Sequence, residues 1–265
     1  MTQAVSGNYL QSLFGLDGLT AVVIGGTGTL GGSFCEALAG AGAHVLVVGR
    51  DAEDGRARAA SIKNAGGSAE FFRADATRRL DLEAIVSHLN KSGRCCDVLI
   101  NGAGTNSPTP FLEISDDEWE RIFNVNLNAV RLACQVFGKF LLNKGRGGSI
   151  INVASLSAIV PLSRVFTYSA TKAALLNLTQ NLAREWAPHR IRVNAISPGF
   201  FPAEQNRDVL TPERVENIMR HTPMNRFGNP EELAGAILLM ASPKAGSFLT
   251  GENIVVDGGF LAMTI

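Results

Sequence analysis

The sequence predicts an α/β fold, a doubly wound, seven-stranded parallel sheet with helices on both faces, and three observations lead there. Short apolar, β-branched runs alternate with longer segments of helical period through the first two-thirds of the chain, as repeated βαβ units do. The runs are near-continuously hydrophobic rather than alternating, as expected of parallel strands covered on both faces. No linker, repeat or low-complexity tract interrupts them, so residues 1–265 read as one domain.

In chain order the strands are "TAVVIGG" from Thr20, "HVLVVGR" from His44, "AEFFRAD" from Ala69, "CDVLING" from Cys96, "GSIINVAS" from Gly148 and "IRVNAIS" from Ile191, with a seventh, "NIVVDGG", from Asn253. Between them lie the helical segments "LGGSFCEALAGAG", "DEWERIFNVNLNAVRLACQVFGKFLLNK" and "SATKAALLNLTQNLAREWA". One stretch breaks the alternation. From Pro198 to Pro230 there is no strand pattern, only helix-forming segments and prolines. An excursion of that length beyond a strand end reads as a substrate loop.

Composition narrows the partners. Hydrophobic residues make up 46% of the chain, enough for a sizeable core. Lys plus Arg equals Asp plus Glu at 24 each, so no overall field draws the protein to nucleic acid or to an acidic membrane. No apolar run reaches the ~18 residues that span a bilayer, and "MTQAVSGNYLQSLFGL" lacks the pattern of a signal peptide. A cytoplasmic protein acting on a small molecule is expected. Cys35, Cys95, Cys96 and Cys134 follow neither zinc-site nor disulfide spacing, so no metal is expected and the adjacent Cys95 and Cys96 are read as reduced.

The first strand runs into "GGTGTLGG", with Gly25, Gly28 and Gly31 three apart and a helical pattern following. Glycines there let the backbone of Thr27, Thr29 and Leu30 turn tightly against a pyrophosphate, whose charge meets the helix N-terminus. The second strand ends "VVGRD". An acid at that end would bind the ribose 2′-hydroxyl of NAD, whereas arginine accommodates the 2′-phosphate of NADP. Gly49 takes the acidic position and Arg50 follows it, so NADP is preferred over NAD, while Asp51 caps the next helix. Asp75, followed by Ala76, ends the third strand and is placed to accept from the adenine amino group. Asn101, Gly102 and Ala103 end the fourth, where small residues let backbone lie against a cofactor.

"YSATK" places Tyr168 and Lys172 on one helix face, where a cation favours the phenolate and lowers the phenol pKa. Ser155 ends the fifth strand thirteen positions earlier, and Asn126 lies within the long helix after the fourth. With the glycine pattern, these residues resemble the short-chain dehydrogenase/reductase family over essentially the whole chain. The resemblance implies a Rossmann-type fold and a joint role for Asn126, Ser155, Tyr168 and Lys172. Tyr168 would be the general acid or base, Ser155 the oxyanion donor, Lys172 the group that tunes the phenol and holds the nicotinamide ribose, and Asn126 the holder of a relay water.

Two departures stand out. Thr29 occupies the middle glycine position of the family's G-x-x-x-G-x-G, a spacing closer to its extended branch. After "SPG" (Pro198, Gly199) the family's threonine is Ala203, leaving the nicotinamide carboxamide to backbone near Phe201. The segment "FFPAEQNR" looks like the D-mannonate and gluconate oxidoreductase branch, with Gln205 and Asn206 facing sugar hydroxyls and Arg207 a carboxylate. The expectation is therefore an NADP-preferring oxidoreductase of a secondary alcohol or ketone, on a sugar acid or polyol. A 3-oxoacyl carrier-protein reductase and a non-catalytic dinucleotide sensor are the alternatives. The family resemblance further implies a homotetramer.

Overall fold

The computed structural model describes residues 7–201 and 211–263. The seven strands are β1 (Thr20–Ile24), β2 (His44–Gly49), β3 (Ser68–Arg73), β4 (Val98–Asn101), β5 (Gly148–Val153), β6 (Ile191–Pro198) and β7 (Asn253–Val256). They form one sheet in the order β3-β2-β1-β4-β5-β6-β7, with every neighbouring pair parallel. Successive side chains enter opposite cores, which is why the strands read as unbroken apolar runs. Val22, Ile24, Leu46 and Val48 face one core; Ala21, Val23, Val45 and Val47 face the other.

The first core is closed by α4 (Arg79–Lys91), α6 (Ala129–Lys144) and α7 (Phe166–Trp186), the second by α2 (Thr29–Gly40), α3 (Ala52–Asn64) and α9 (Ala234–Ala241). Asp51 caps α3 as its position predicts, accepting from the amides of Glu53 and Asp54. Ser115 does the same for α5 (Asp116–Phe123), accepting from Glu118 N.

Two features differ from the sequence expectation. A first helix, α1 (Gly7–Phe14), precedes β1, and Ser242 Oγ donates to its Leu13 carbonyl at 2.7 Å. The long helix after β4 is not continuous, because a π-helical turn over Asn124–Asn128 joins α5 to α6. The excursion after β6 does carry a helix, as its helix-forming pattern predicts: α8 (Pro212–His221), started by Thr211, whose hydroxyl accepts from Arg214 N.

No helix among the described residues is long and apolar enough to cross a membrane. The four cysteines are free thiols. Cys96 has no exposed surface, and burial pushes its thiol well above the ordinary range, which argues against a redox pair with Cys95.

The strand order reverses direction between β1 and β4, opening a crevice at the carboxyl ends of the strands. Every residue of the site described next lies at that edge or on the excursion above it.

Candidate active site

The turn from β1 into α2 has the shape a pyrophosphate requires. Gly25 has φ +82°, and a Cβ there would lie 2.7 Å from Ala103 N; a Cβ on Gly31 would lie 2.1 Å from Gly25 O. These two glycines close the turn against itself and against the end of β4. Gly28 does the opposite, since a Cβ there would meet only Gly25 O, at 3.6 Å, which leaves its outer face open to a ligand. Gly28 is also the N-cap of α2, so the amides of Thr29, Leu30 and Gly31 have no intrahelical acceptor and meet an anion together with the helix dipole. The residues present fit a dinucleotide.

At the end of β2, a Cβ on Gly49 would sit 2.6 Å from Thr27 Cγ2. Thr27 therefore fills the space in which an acidic side chain would reach a ribose, and Arg50 follows, exposed. Arg73 donates to the Arg50 carbonyl at 3.1 Å. Asp75 lies within the field of Arg50 and Arg78. Burial raises its pKa, but hydrogen bonds from the Thr77 side chain and amide, with the two arginines, leave it below the usual carboxylate value. Ala76 beside it is buried.

Asn101 is the last residue of β4. Its side chain is buried and donates to Asn152 Oδ1 at 2.8 Å, and Asn152 donates in turn to Thr179 Oγ1 at 2.9 Å. It ties β4 to β5 and α7, while the backbone of Gly102 and Ala103 abuts Gly25.

The proton-handling groups meet at the ends of β5 and α7. Ser155 caps a short 3₁₀ turn (Leu156–Ala158), and its oxygen accepts from Ser157 N at 3.2 Å and Ser157 Oγ at 3.1 Å. With those lone pairs engaged, its own proton is free for Tyr168. Tyr168 and Lys172 share a face of α7, with Lys172 Nζ 5.4 Å from the phenol ring centroid. Lys172 is 3% exposed and donates to Val153 O at 2.6 Å, and burial lowers its pKa to about 8.

Burial raises the Tyr168 pKa, the opposite direction to the one expected from a neighbouring cation, and the hydrogen bond with Ser155 works against that rise. The ammonium is turned to a carbonyl rather than to the phenol oxygen, so desolvation wins.

Asn126 is fully buried on the π turn, the kind of helix interruption that recurs at functional sites. Its Oδ1 accepts from Thr105 N at 2.8 Å, and its Nδ2 donates to Thr105 O at 2.9 Å and Thr171 Oγ1 at 3.2 Å. The amide group thus ties the loop after β4, at Thr105, to α7, at Thr171. These groups border a cavity of about 360 Å³ whose wall runs from Gly25 and Gly28–Gly31 past Ser155, Tyr168 and Lys172 to Pro198, Gly199 and Phe201.

The profile of a family described as "Enoyl-(Acyl carrier protein) reductase" matches residues 27–261. A short-chain type dehydrogenase/reductase from Mycobacterium marinum superposes with a TM-score of 0.90 over 95% of this chain and 99% of that one, at 33% identity. The chain is a short-chain dehydrogenase/reductase. As such it is an NAD(P)-dependent oxidoreductase of alcohol groups. The galactitol 2-dehydrogenase of Rhizobium johnstonii is 38% identical, over 94% of this chain and 98% of that one. A gluconate 5-dehydrogenase from Burkholderia cenocepacia, in complex with NADP and tartrate, matches with a TM-score of 0.91 over 96% of this chain and 100% of that one, at 28% identity.

Within this dehydrogenase/reductase the cavity also has walls that sequence reasoning missed. Ser157, Asn106 and Arg214 all line it. Ser157 sits two residues beyond Ser155, where nothing in the spacing marks it. Arg214 lies in the excursion, where the sequence points instead to Gln205, Asn206 and Arg207; those three, and Ala203, lie outside the described residues. Pro198 ends β6, Gly199 packs so closely on Asp257 that a Cβ would be 2.6 Å from its Cα, and the buried Phe201 ring covers Gly228.

Proposed function

We propose that the enzyme interconverts a secondary alcohol and a ketone on a polyhydroxylated small molecule, a sugar acid or polyol, using NADP in preference to NAD. The carrying observation is that Asn106 and Arg214 share one cavity with Ser155, Tyr168 and Lys172, which presents polar and cationic groups to a ligand at the reacting centre. The polyol and sugar-acid activities in the relatives' names support the same class.

Bound nicotinamide supplies or takes up the hydride. In reduction, Tyr168 gives its proton to the substrate oxygen while Ser155 donates a hydrogen bond to the charge developing there. In oxidation the phenol accepts the proton. Burial keeps Tyr168 neutral, which suits it as the donor. Lys172, four residues on, resupplies the proton and balances charge. Asn126 joins the loop at Thr105 to Thr171 of α7 beside them, and with its amide hydrogens engaged in those two bonds its part in any proton relay falls to its backbone.

Thr27 over Gly49, with Arg50 next in sequence, supports the cofactor preference, Arg50 holding the 2′-phosphate and Asp75 the adenine amino group. One catalytic domain spanning the chain, with residues 198–230 over the substrate, is part of the proposal. So are a homotetramer and a cytoplasmic location, which four free thiols suit.

Cofactor turnover with both dinucleotides against six-carbon sugar acids, hexitols and 3-oxoacyl thioesters tests the reading. Turnover with NADP and a sugar acid or hexitol supports it. Turnover confined to acyl thioesters moves the enzyme to the carrier-protein reductases, and dinucleotide binding without turnover makes it a sensor.

A further inference from the structure

Arg214 lies on the wall between two concavities. One is the catalytic cavity holding Ser155 and Tyr168; the other is an adjoining surface groove lined by Arg164, Pro212 and Asn217. Its guanidinium is held in place from the far side of the mouth, with Nη1 donating to Ser163 Oγ at 3.0 Å and Nη2 to Ser163 O at 2.9 Å. Two of the five guanidinium hydrogens are thereby used, and the rest of the planar fork stays available at a fixed angle.

Arg164 approaches from the same loop as Ser163. It is one of three described non-glycine residues with positive φ, at +58°. That backbone region is uncommon for a side chain bearing a Cβ. Among the described residues no carboxylate lies within ion-pair distance of either arginine. Burial and the charge of Arg164 both press against the protonated form of Arg214. Two like charges at a partly dry cavity mouth are stabilised by an anion placed between them.

We propose that Arg214, backed by Arg164 and oriented by Ser163, is the subsite for the carboxylate of the substrate, so that this enzyme prefers a hydroxy acid to a neutral polyol of the same length. The inference rests on the oxidoreductase reading and narrows it. The carbinol carbon sits at Tyr168 and Ser155, and the acid end points toward α8. A charge-assisted, forked bond of this kind is worth about ten- to hundredfold in affinity.

The test compares D-gluconate with D-sorbitol, both with NADP, in the wild-type enzyme, Arg214→Gln and Arg214→Lys. Calorimetric titration of gluconate into the NADP-loaded proteins runs alongside turnover. The expected result is a ten- to hundredfold fall in the gluconate-to-sorbitol ratio of kcat/KM for Arg214→Gln. Gluconate binding weakens in step, and Arg214→Lys recovers part of it. NADP binding by Arg214→Gln serves as its folding control; should that be lost, the same comparison with Arg214→Lys decides. An unchanged ratio overturns the subsite. So does a wild type that oxidises sorbitol but neither binds nor oxidises gluconate, although the oxidoreductase reading then stands. No turnover with any sugar acid or polyol removes that reading and the subsite with it.

Discussion

Lys172 carries an amine inside a shell that excludes water, hydrogen-bonded to the Val153 carbonyl, and burial draws its pKa to about 8. In the unfolded chain the same amine titrates near ~10.4. Between those values the unfolded chain holds a proton that the folded one has released, so this residue's contribution to stability rises with pH across pH 8–10.4 and is flat below pH 8. Set against Lys172→Met, the wild type should gain about 3 kcal/mol between pH 7 and pH 10.5, read from urea unfolding of both proteins at each pH. A constant difference would mean that the amine titrates normally. The variant should also be inactive, a case of a site group held against stability. Tyr168→Phe separates chemistry from binding. Turnover should fall ~10²–10⁴-fold with NADP affinity kept, and a variant retaining a third of wild-type activity would sink the assignment. The Tyr168–Lys172 pair was legible because helical spacing puts i and i+4 together. The direction of the tyrosine's shift was not, since it depends on how dry the cavity is and where the ammonium turns.

At the scale of elements, the β1–α2 turn and the end of β2 hold two halves of one ligand and should fail differently. A Cβ on Gly31 would lie 2.1 Å from a carbonyl oxygen, so Gly31→Ala must displace the turn and should weaken NADP and NAD together. Arg50→Ala leaves the turn alone and removes a charge-assisted bond worth ~1.5–3 kcal/mol from NADP only. The NADP-to-NAD ratio of kcat/KM should therefore drop roughly ten- to hundredfold. A wild type that already prefers NAD would show that Thr27 over Gly49 does not set the preference. The strands behind these turns were readable because burial on both faces writes itself as apolar runs. The π turn at Asn124–Asn128 was not, because one extra residue in a helical pattern barely disturbs its period. Nor was the shielding of Gly49 by Thr27, which joins residues from two strand ends.

For the whole molecule, the sheet order follows from the succession of βαβ units, whereas what covers the outer surface of the helices leaves a weaker trace. Near the starts of α5 and α7 the described surface carries large exposed apolar side chains. Leu112 is 95% exposed and Phe111 60%, with Phe111 stacked on Phe166 at the start of α7; Trp119 stacks on Phe123 along α5. A cluster of this kind on one flank marks an interaction surface, and burying each such side chain is worth ~1.5–3 kcal/mol. Because α5 packs on α7 within one chain, the flank is a single platform, suited to a two-fold contact in which it meets its own copy. A tetramer needs a second, different contact, and Phe248, fully exposed in the segment before the edge strand β7, offers apolar surface for it. Light scattering at micromolar concentration is expected to give about four times the mass of one chain. Leu112→Glu with Trp119→Glu should reduce this to a dimer while leaving NADP binding intact, because neither residue lines the cavity. A wild type with the mass of a monomer would refute the assembly.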